Sequence, residues 1–161
     1  MRVGVSGKAL ERHVGGTTTY ARALYERLRP LGVHPGMLAP RGVGGPVRPV
    51  AYALADGLLW PKRKKFDLLH YPDDTGALVR ARVPMVATIH ALPPRPPVGI
   101  RHSVRERLWY RRVAGTAAVA DAIVTVSEFS AREIRERFNV PAQRLHVIPT
   151  AWTADASTPA P

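Results

Sequence analysis

His90 closes the most hydrophobic run of the chain, Met85-Val-Ala-Thr-Ile-His90. An imidazole at the carboxyl end of a central strand faces the region where α/β proteins gather ligands, and there it can hydrogen-bond a hydroxyl or a phosphate. It can equally serve as a structural cap on the strand. His70 ends the preceding run and carries the same signal more weakly. Gly15-Gly16 stand directly before a helix-forming stretch that starts at Thr17. Paired glycines let backbone N–H groups approach a phosphate, with the helix dipole favouring its charge; the same pair also makes an ordinary loop-to-helix turn. Asp73 and Asp74 follow Tyr71-Pro72. Two carboxylates suit acid–base work, but adjacent side chains diverge, and Asp between Pro and Gly is turn chemistry, which is the reading preferred here. Lys62-Arg63-Lys64-Lys65 form a compact basic patch, suited to anionic lipid or a phosphorylated acceptor, or simply to a solvated loop.

Other chemistries lack their residues. No G-x-G-x-x-G follows the first strand, which argues against a nicotinamide dehydrogenase. Gly7-Lys8-Ala9 lacks the upstream glycine and the Ser/Thr of a P-loop. There is no cysteine, and the histidines show no metal-ligand spacing, so neither a metal nor a cofactor is expected. The net charge of +12 comes mostly from arginine and favours anionic partners. For nucleic acid, that charge is unaccompanied by any recognition motif. A reducing cytoplasm fits the missing cysteines, and the basic patch fits a peripheral place at the inner face of a membrane. The stretch Arg101 to Arg112 sets several arginines beside Trp109 and Tyr110, either on a membrane-facing helix or with the aromatics in the core.

The elements that must hold these residues follow from the patterning. Short, β-branched, nearly continuous runs at Val3–Ser6, Val33–Ala39, Phe66–Tyr71, Val83–His90, Ala122–Val126 and Arg144–Ile148 read as parallel strands covered on both faces. Helices are predicted over Thr17–Leu31, with Tyr20, Leu24 and Leu28 as an apolar stripe, and over Ser103–Val119. A third spans Ser127–Phe138, with Ser127 as N-cap, Glu128 favourable in the first turn, and Phe129, Ile134 and Phe138 on its buried side. Arg41–Pro49 and Pro93–Pro97 read as loops, and Thr150–Pro161 as a disordered tail. The expected fold is a doubly wound α/β domain over residues 1–149 with a mostly parallel sheet.

Taken in order, these segments resemble the N-terminal domain of family 4 glycosyltransferases, the retaining group with the GT-B fold. The matching pieces are Met1–Ala9 as the opening strand, Gly15-Gly16 through Tyr20, Asp67-Leu-Leu-His-Tyr-Pro-Asp73, Val83–His90, Ala120–Ser130 and Val140–Pro149. The resemblance implies a Rossmann-like half of a GT-B enzyme that moves a sugar from a nucleotide diphosphate to a sugar or lipid-linked acceptor, with retention. Gly15, Gly16 and Thr17 would lie against the donor diphosphate and His90 near the transferred sugar. Tyr71, Asp73, Asp74 and the Pro93–Pro97 loop would border the acceptor, and Ser127 and Glu128 would offer a further contact at a helix N-terminus. Two departures stand out: Ala91 where the family usually has Asp, and Thr150-Ala151 where it usually has Asn-Gly. The donor-binding second domain that the resemblance implies is expected to be absent, and the chain to be unable to transfer sugar unaided. A separate C-terminal half or self-association would complete it. The alternative expectation is a non-catalytic module on the same fold that binds glycan, phosphate or anionic lipid.

Overall fold

The computed structural model describes residues 1–11, 15–93 and 103–149. Six parallel strands form one sheet in the order β2-β1-β3-β4-β5-β6. They are β1 (Arg2–Ser6), β2 (His34–Leu38), β3 (Leu68–Tyr71), β4 (Met85–Thr88), β5 (Ala122–Thr125) and β6 (Leu145–Val147). The order reverses between β1 and β3, and ligands of doubly wound sheets gather beyond the strand ends at such a reversal. Register aligns Val5 with Met37 on one side and His70 on the other, so the ends of β1 and β3 lie together.

The helices divide unequally between the two faces. On one face lie α3 (Arg48–Leu54), α4 (Val104–Val119) and α5 (Glu128–Phe138). Tyr52, Val113, Ala117 and Ile134 from these helices pack with Leu69, Tyr71, Met85, Ala87 and Ile123 of the sheet into the main core. On the other face α2 (Gly16–Leu28) places Tyr25 over Val3 and Val5. Leu68, Val86, Ala122 and Val124 on that face stay half-buried. Coverage of both faces, as expected from the sequence, therefore holds only around β1 and β3. From β2 onward every crossover runs in the same direction, and crossovers of one hand drop their helices on one side of the sheet.

Local chemistry explains the helix limits. Ser103 and Glu106 make a reciprocal capping box at the start of α4. The Ser127 hydroxyl accepts from the Ser130 N–H at 3.1 Å, and Asn139 closes α5 in a left-handed conformation. Three sequence expectations need correction. Phe129 is 65% exposed, and α5 buries Ser130, Ala131 and Ile134 instead. On α2 the buried line is Thr18, Ala21 and Tyr25, because small residues let the helix approach the sheet; Tyr20, Leu24 and Leu28 are half-buried beside it. The opening strand stops at Ser6, and Gly7–Glu11 form a short helix, α1.

The segment expected as loop up to Pro49 turns helical at Gly45. A 3-10 turn leads into α3, which widens into a π turn over Ala55–Leu59 and tightens again at Trp60–Lys62. Prolines at the first helical positions start it without needing an N–H. Of the Pro93–Pro97 loop only Pro93 is among the described residues, and the tail from Thr150 lies outside them.

Candidate functional site

The sheet brings four of the sequence candidates, Gly15, Gly16, His70 and His90, to one groove. A cavity of about 1030 Å³ runs beside α2, with Gly15, Gly16 and His90 at one end and Met1 and Val33 at the other. Its walls are largely apolar, from Leu24 and Leu28 of α2 and Val86 and Val124 of the sheet. Gly15 has φ of +132°, a conformation open essentially to glycine alone, and among the described residues beyond its chain neighbours no heavy atom lies within 4 Å of where its Cβ would be. Its carbonyl accepts from the N–H groups of Thr18 and Thr19, both at 3.1 Å. The helix begins with no side-chain cap and no acidic residue in its first turn. Among the described residues nothing therefore compensates its positive end. Thr17 belongs to that first turn and does not line the cavity.

His90 is fixed from three directions. Its backbone N–H donates to Asp74 Oδ1 at 2.8 Å, its carbonyl accepts from Ser130 Oγ at 3.1 Å, and its Nε2 lies 3.1 Å from the Pro72 carbonyl. The last contact requires Nε2 to carry the proton, which leaves Nδ1 as the other ring nitrogen, without a partner among the described residues. Tyr20 meets the ring edge to face, with centroids 4.9 Å apart. Asp74 adopts φ of +36°, and its N–H donates to the Thr88 carbonyl at 3.0 Å, folding the β3–β4 loop onto the end of β4. Burial pushes its carboxyl upward, opposed by the His90 N–H. Asp74 thus positions His90, in keeping with the turn reading of the sequence.

Below His90 a buried chain of polar groups forms the floor. Tyr25 Oη lies 2.6 Å from His70 Nδ1, His70 Nε2 lies 2.9 Å from Thr88 Oγ1, and Thr88 Oγ1 lies 3.4 Å from Tyr20 Oη. Burial pulls the His70 pKa down to about 4, with the nearby His90 adding to the effect. The ring is therefore neutral at pH 7 and holds one donor and one acceptor, as this chain requires. Tyr25 stays a phenol, since burial pushes its hydroxyl well up.

A second polar cluster sits where β1 and β3 part, on the other side of the sheet. Lys8 Nζ reaches Asp73 Oδ2 at 2.7 Å and Thr75 Oγ1 at 3.1 Å. The Ser6 hydroxyl donates to Asp56 Oδ2 at 3.0 Å, and Asp56 is only 1% exposed. Burial pushes its carboxyl up to about 7, the Ser6 hydroxyl opposing. Tyr71 is a core residue: 1% exposed, with its hydroxyl donating to the Asp56 carbonyl at 3.2 Å. Its placement beside an acceptor is corrected accordingly. Side chains alternate across a strand, so Tyr71 turns into the core when His70 turns toward the groove.

The remaining candidates lie apart. Ser127 is occupied as N-cap of α5, and Glu128 borders, with Arg132 and Arg135, an adjoining cavity of about 910 Å³ that shares Val86, Val124 and Ile148 with the groove. Lys62, Arg63, Lys64 and Lys65 are exposed on the segment that leads into β3, at the opposite end of the strands from His90. Among the described residues, no cluster of three or more His, Asp or Glu is arranged to hold a metal ion. Nor is any helix there long and apolar enough to cross a membrane. Sequence reading missed Ser6, Lys8, Tyr25 and Asp56; the visible signal for the last was a single carboxylate inside the apolar run Ala51–Trp60.

Residues 45–152, well over half the chain, match the family model of Glycosyltransferase Family 4. The chain belongs to glycosyltransferase family 4. The match takes in β3 through β6, His90 and the segment before β3, whereas Gly15-Gly16 and α2 precede it. No curated protein matches the chain significantly in sequence.

Proposed function

We propose that this domain is the acceptor-side half of a retaining glycosyltransferase and works with a second half that holds most of a nucleotide-sugar donor. The observation that carries this reading is the shared groove, in which His90 and the uncapped start of α2 at Gly15-Gly16 line one end. The free N–H groups of the first helical turn and the dipole behind them suit the donor diphosphate. His90, with Nε2 tied to Pro72, presents Nδ1 as an acceptor for a sugar hydroxyl. Among the described residues no carboxylate lines the groove, so a proton leaving the acceptor passes to the donor's own phosphate.

The groove is open, and among the described residues that line it Arg27 is the one lysine or arginine. A departing nucleoside diphosphate needs dense positive charge in a water-poor site, and the described lining of the groove supplies little of it. Catalysis therefore requires the complementary half, in the same polypeptide or another. No metal takes part in this scheme.

The reading is tested by incubating the chain with a panel of nucleotide sugars and simple sugar or lipid-linked acceptors, alone and with a family 4 C-terminal half. Transfer only with the second half, lost in H90A, is the expected result. Turnover by the chain alone would overturn the division of labour. Undiminished transfer by H90A in the complemented enzyme would overturn the role of His90.

A further inference from the structure

The helical segment from Gly45 to Lys62 presents two unlike sides. Tyr52, Ala55, Asp56 and Trp60 turn inward and are buried. The outer side carries Val47, Val50, Leu54, Leu58 and Leu59, which are 60%, 57%, 55%, 40% and 58% exposed. From Val47 to Leu58 the spacing is three, four and four, so these side chains form one stripe along the segment. The π turn preserves it, because Asp56 and Gly57 remain buried while Leu58 and Leu59 come out to solvent. Lys62, Arg63, Lys64 and Lys65 follow at once, all exposed. Asp56 is the only acid between residues 45 and 66, and it faces inward toward Ser6.

We infer that this ridge is a membrane-docking surface for a bilayer rich in anionic lipid, the leucine stripe entering the boundary between headgroups and acyl chains and the Lys62–Lys65 cluster pairing with phosphates. Charge complementarity commits the partner: four adjacent cations follow an apolar stripe that has no carboxylate on its outer side. The chain's preference for arginine does not account for the cluster, since three of the four lysines in the whole protein stand in these four positions. A protein partner fits less well. Interface anchors are chiefly Trp, Tyr and Arg, and here Tyr52 and Trp60 are turned into the core, leaving only aliphatic side chains outside. Docking by this ridge leaves the groove open, because α3 and the groove lie on opposite faces of the sheet. The inference does not rest on the sugar-transfer reading.

The test is co-sedimentation of the chain with vesicles of phosphatidylcholine alone and with about one third phosphatidylglycerol. Three variants accompany it. K62Q/R63Q/K64Q/K65Q removes the cluster, L54S/L58S breaks the stripe, and R27Q/R29Q/R132Q/R135Q removes as many exposed charges elsewhere. Wild type is expected to bind the anionic vesicles, more weakly as salt rises. The cluster variant should lose about tenfold or more in partitioning, the stripe variant about fivefold, and the control less than about twofold. A further variant, L54W, reads the same contact by fluorescence: its emission shifts to the blue on anionic vesicles and is quenched by brominated acyl chains. Absence of binding by wild type overturns the inference, as does equal loss in the control, which would mean adsorption by net charge. Full binding by L54S/L58S, or an unshifted L54W spectrum, overturns the insertion of the stripe. A wild-type dimer that L54S/L58S turns monomeric, with no vesicle binding, would reassign the ridge to a second copy of the chain.

Discussion

Asp56→Asn separates the ionisation cost of a buried carboxyl from the packing around it. Asp56 is 1% exposed, its Oδ2 accepts from Ser6, and its Oδ1 has no partner among the described residues. Burial raises its pKa from 3.8 to about 7, so between those values the folded chain holds a proton that the unfolded chain has released. Stability is therefore lost as pH rises from about 4 to about 7, and the full cost is carried above pH 7. Each pH unit across that window corresponds to about 1.4 kcal/mol, giving about 4 kcal/mol in all. Asparagine escapes the cost but leaves an amide N–H without an acceptor, a penalty of about 1–3 kcal/mol at any pH. The variant should accordingly be less stable than wild type at pH 4.5 and more stable by about 2 kcal/mol at pH 8. Urea denaturation at the two pH values measures both numbers. The same difference between variant and wild type at pH 4.5 and pH 8 would refute the argument, because an exposed or always-ionised carboxylate gives no such crossing.

Four further outcomes follow from the same geometry. His70, with a pKa lowered from 6.5 to about 4, withholds stability in the opposite sense. As pH falls through that window the unfolded chain gains a proton first, so D56N should lose about 3 kcal/mol between pH 6.5 and pH 4 by urea denaturation, a slope that Asp56 masks in wild type. G15A should cost about 1–3 kcal/mol through backbone strain, since no described residue beyond its chain neighbours stands near the new methyl, and should weaken phosphate binding at α2. G76A should cost at least about 1–3 kcal/mol by overpacking, because its Cβ would lie 2.5 Å from Tyr71 Cγ. F129A should change stability by less than about 0.5 kcal/mol, whereas I134A should cost about 2–5 kcal/mol, both read by thermal or urea unfolding.

Much of the sheet was legible because parallel strands write themselves as short aliphatic runs, and all six were visible within a few residues. Ser127 marked the start of α5 for an equally local reason. The segment Gly45–Lys62 was not legible as a helix. Its stripe of exposed valines and leucines reverses the usual polar exterior, and the partner that makes Asp56 tolerable, Ser6, is fifty residues away in sequence. Placing Tyr71 beside a ligand failed on parity: His70 and Tyr71 are neighbours on one strand and cannot share a face. His90 was legible as a strand-end residue, but its fixing by Asp74, Pro72 and Ser130 depends on three separate loops and elements meeting, which no local pattern carries. Phe129 fits the apolar side of α5 by type, yet it lies on the solvent side once Ile134 turns to the core.

Where a nucleotide sugar touches this domain decides the assignment of the groove. Amide chemical-shift mapping of the isotopically labelled chain, titrated with a panel of nucleoside diphosphates and their sugars, reads this without requiring turnover. The prediction is weak binding whose shifts centre on Gly15, Gly16, Thr17 and His90 and fade in H90A for the sugar-bearing ligands. Shifts that cluster elsewhere, or no response from the Gly15–Thr17 amides at saturating ligand, would contradict the assignment of the groove.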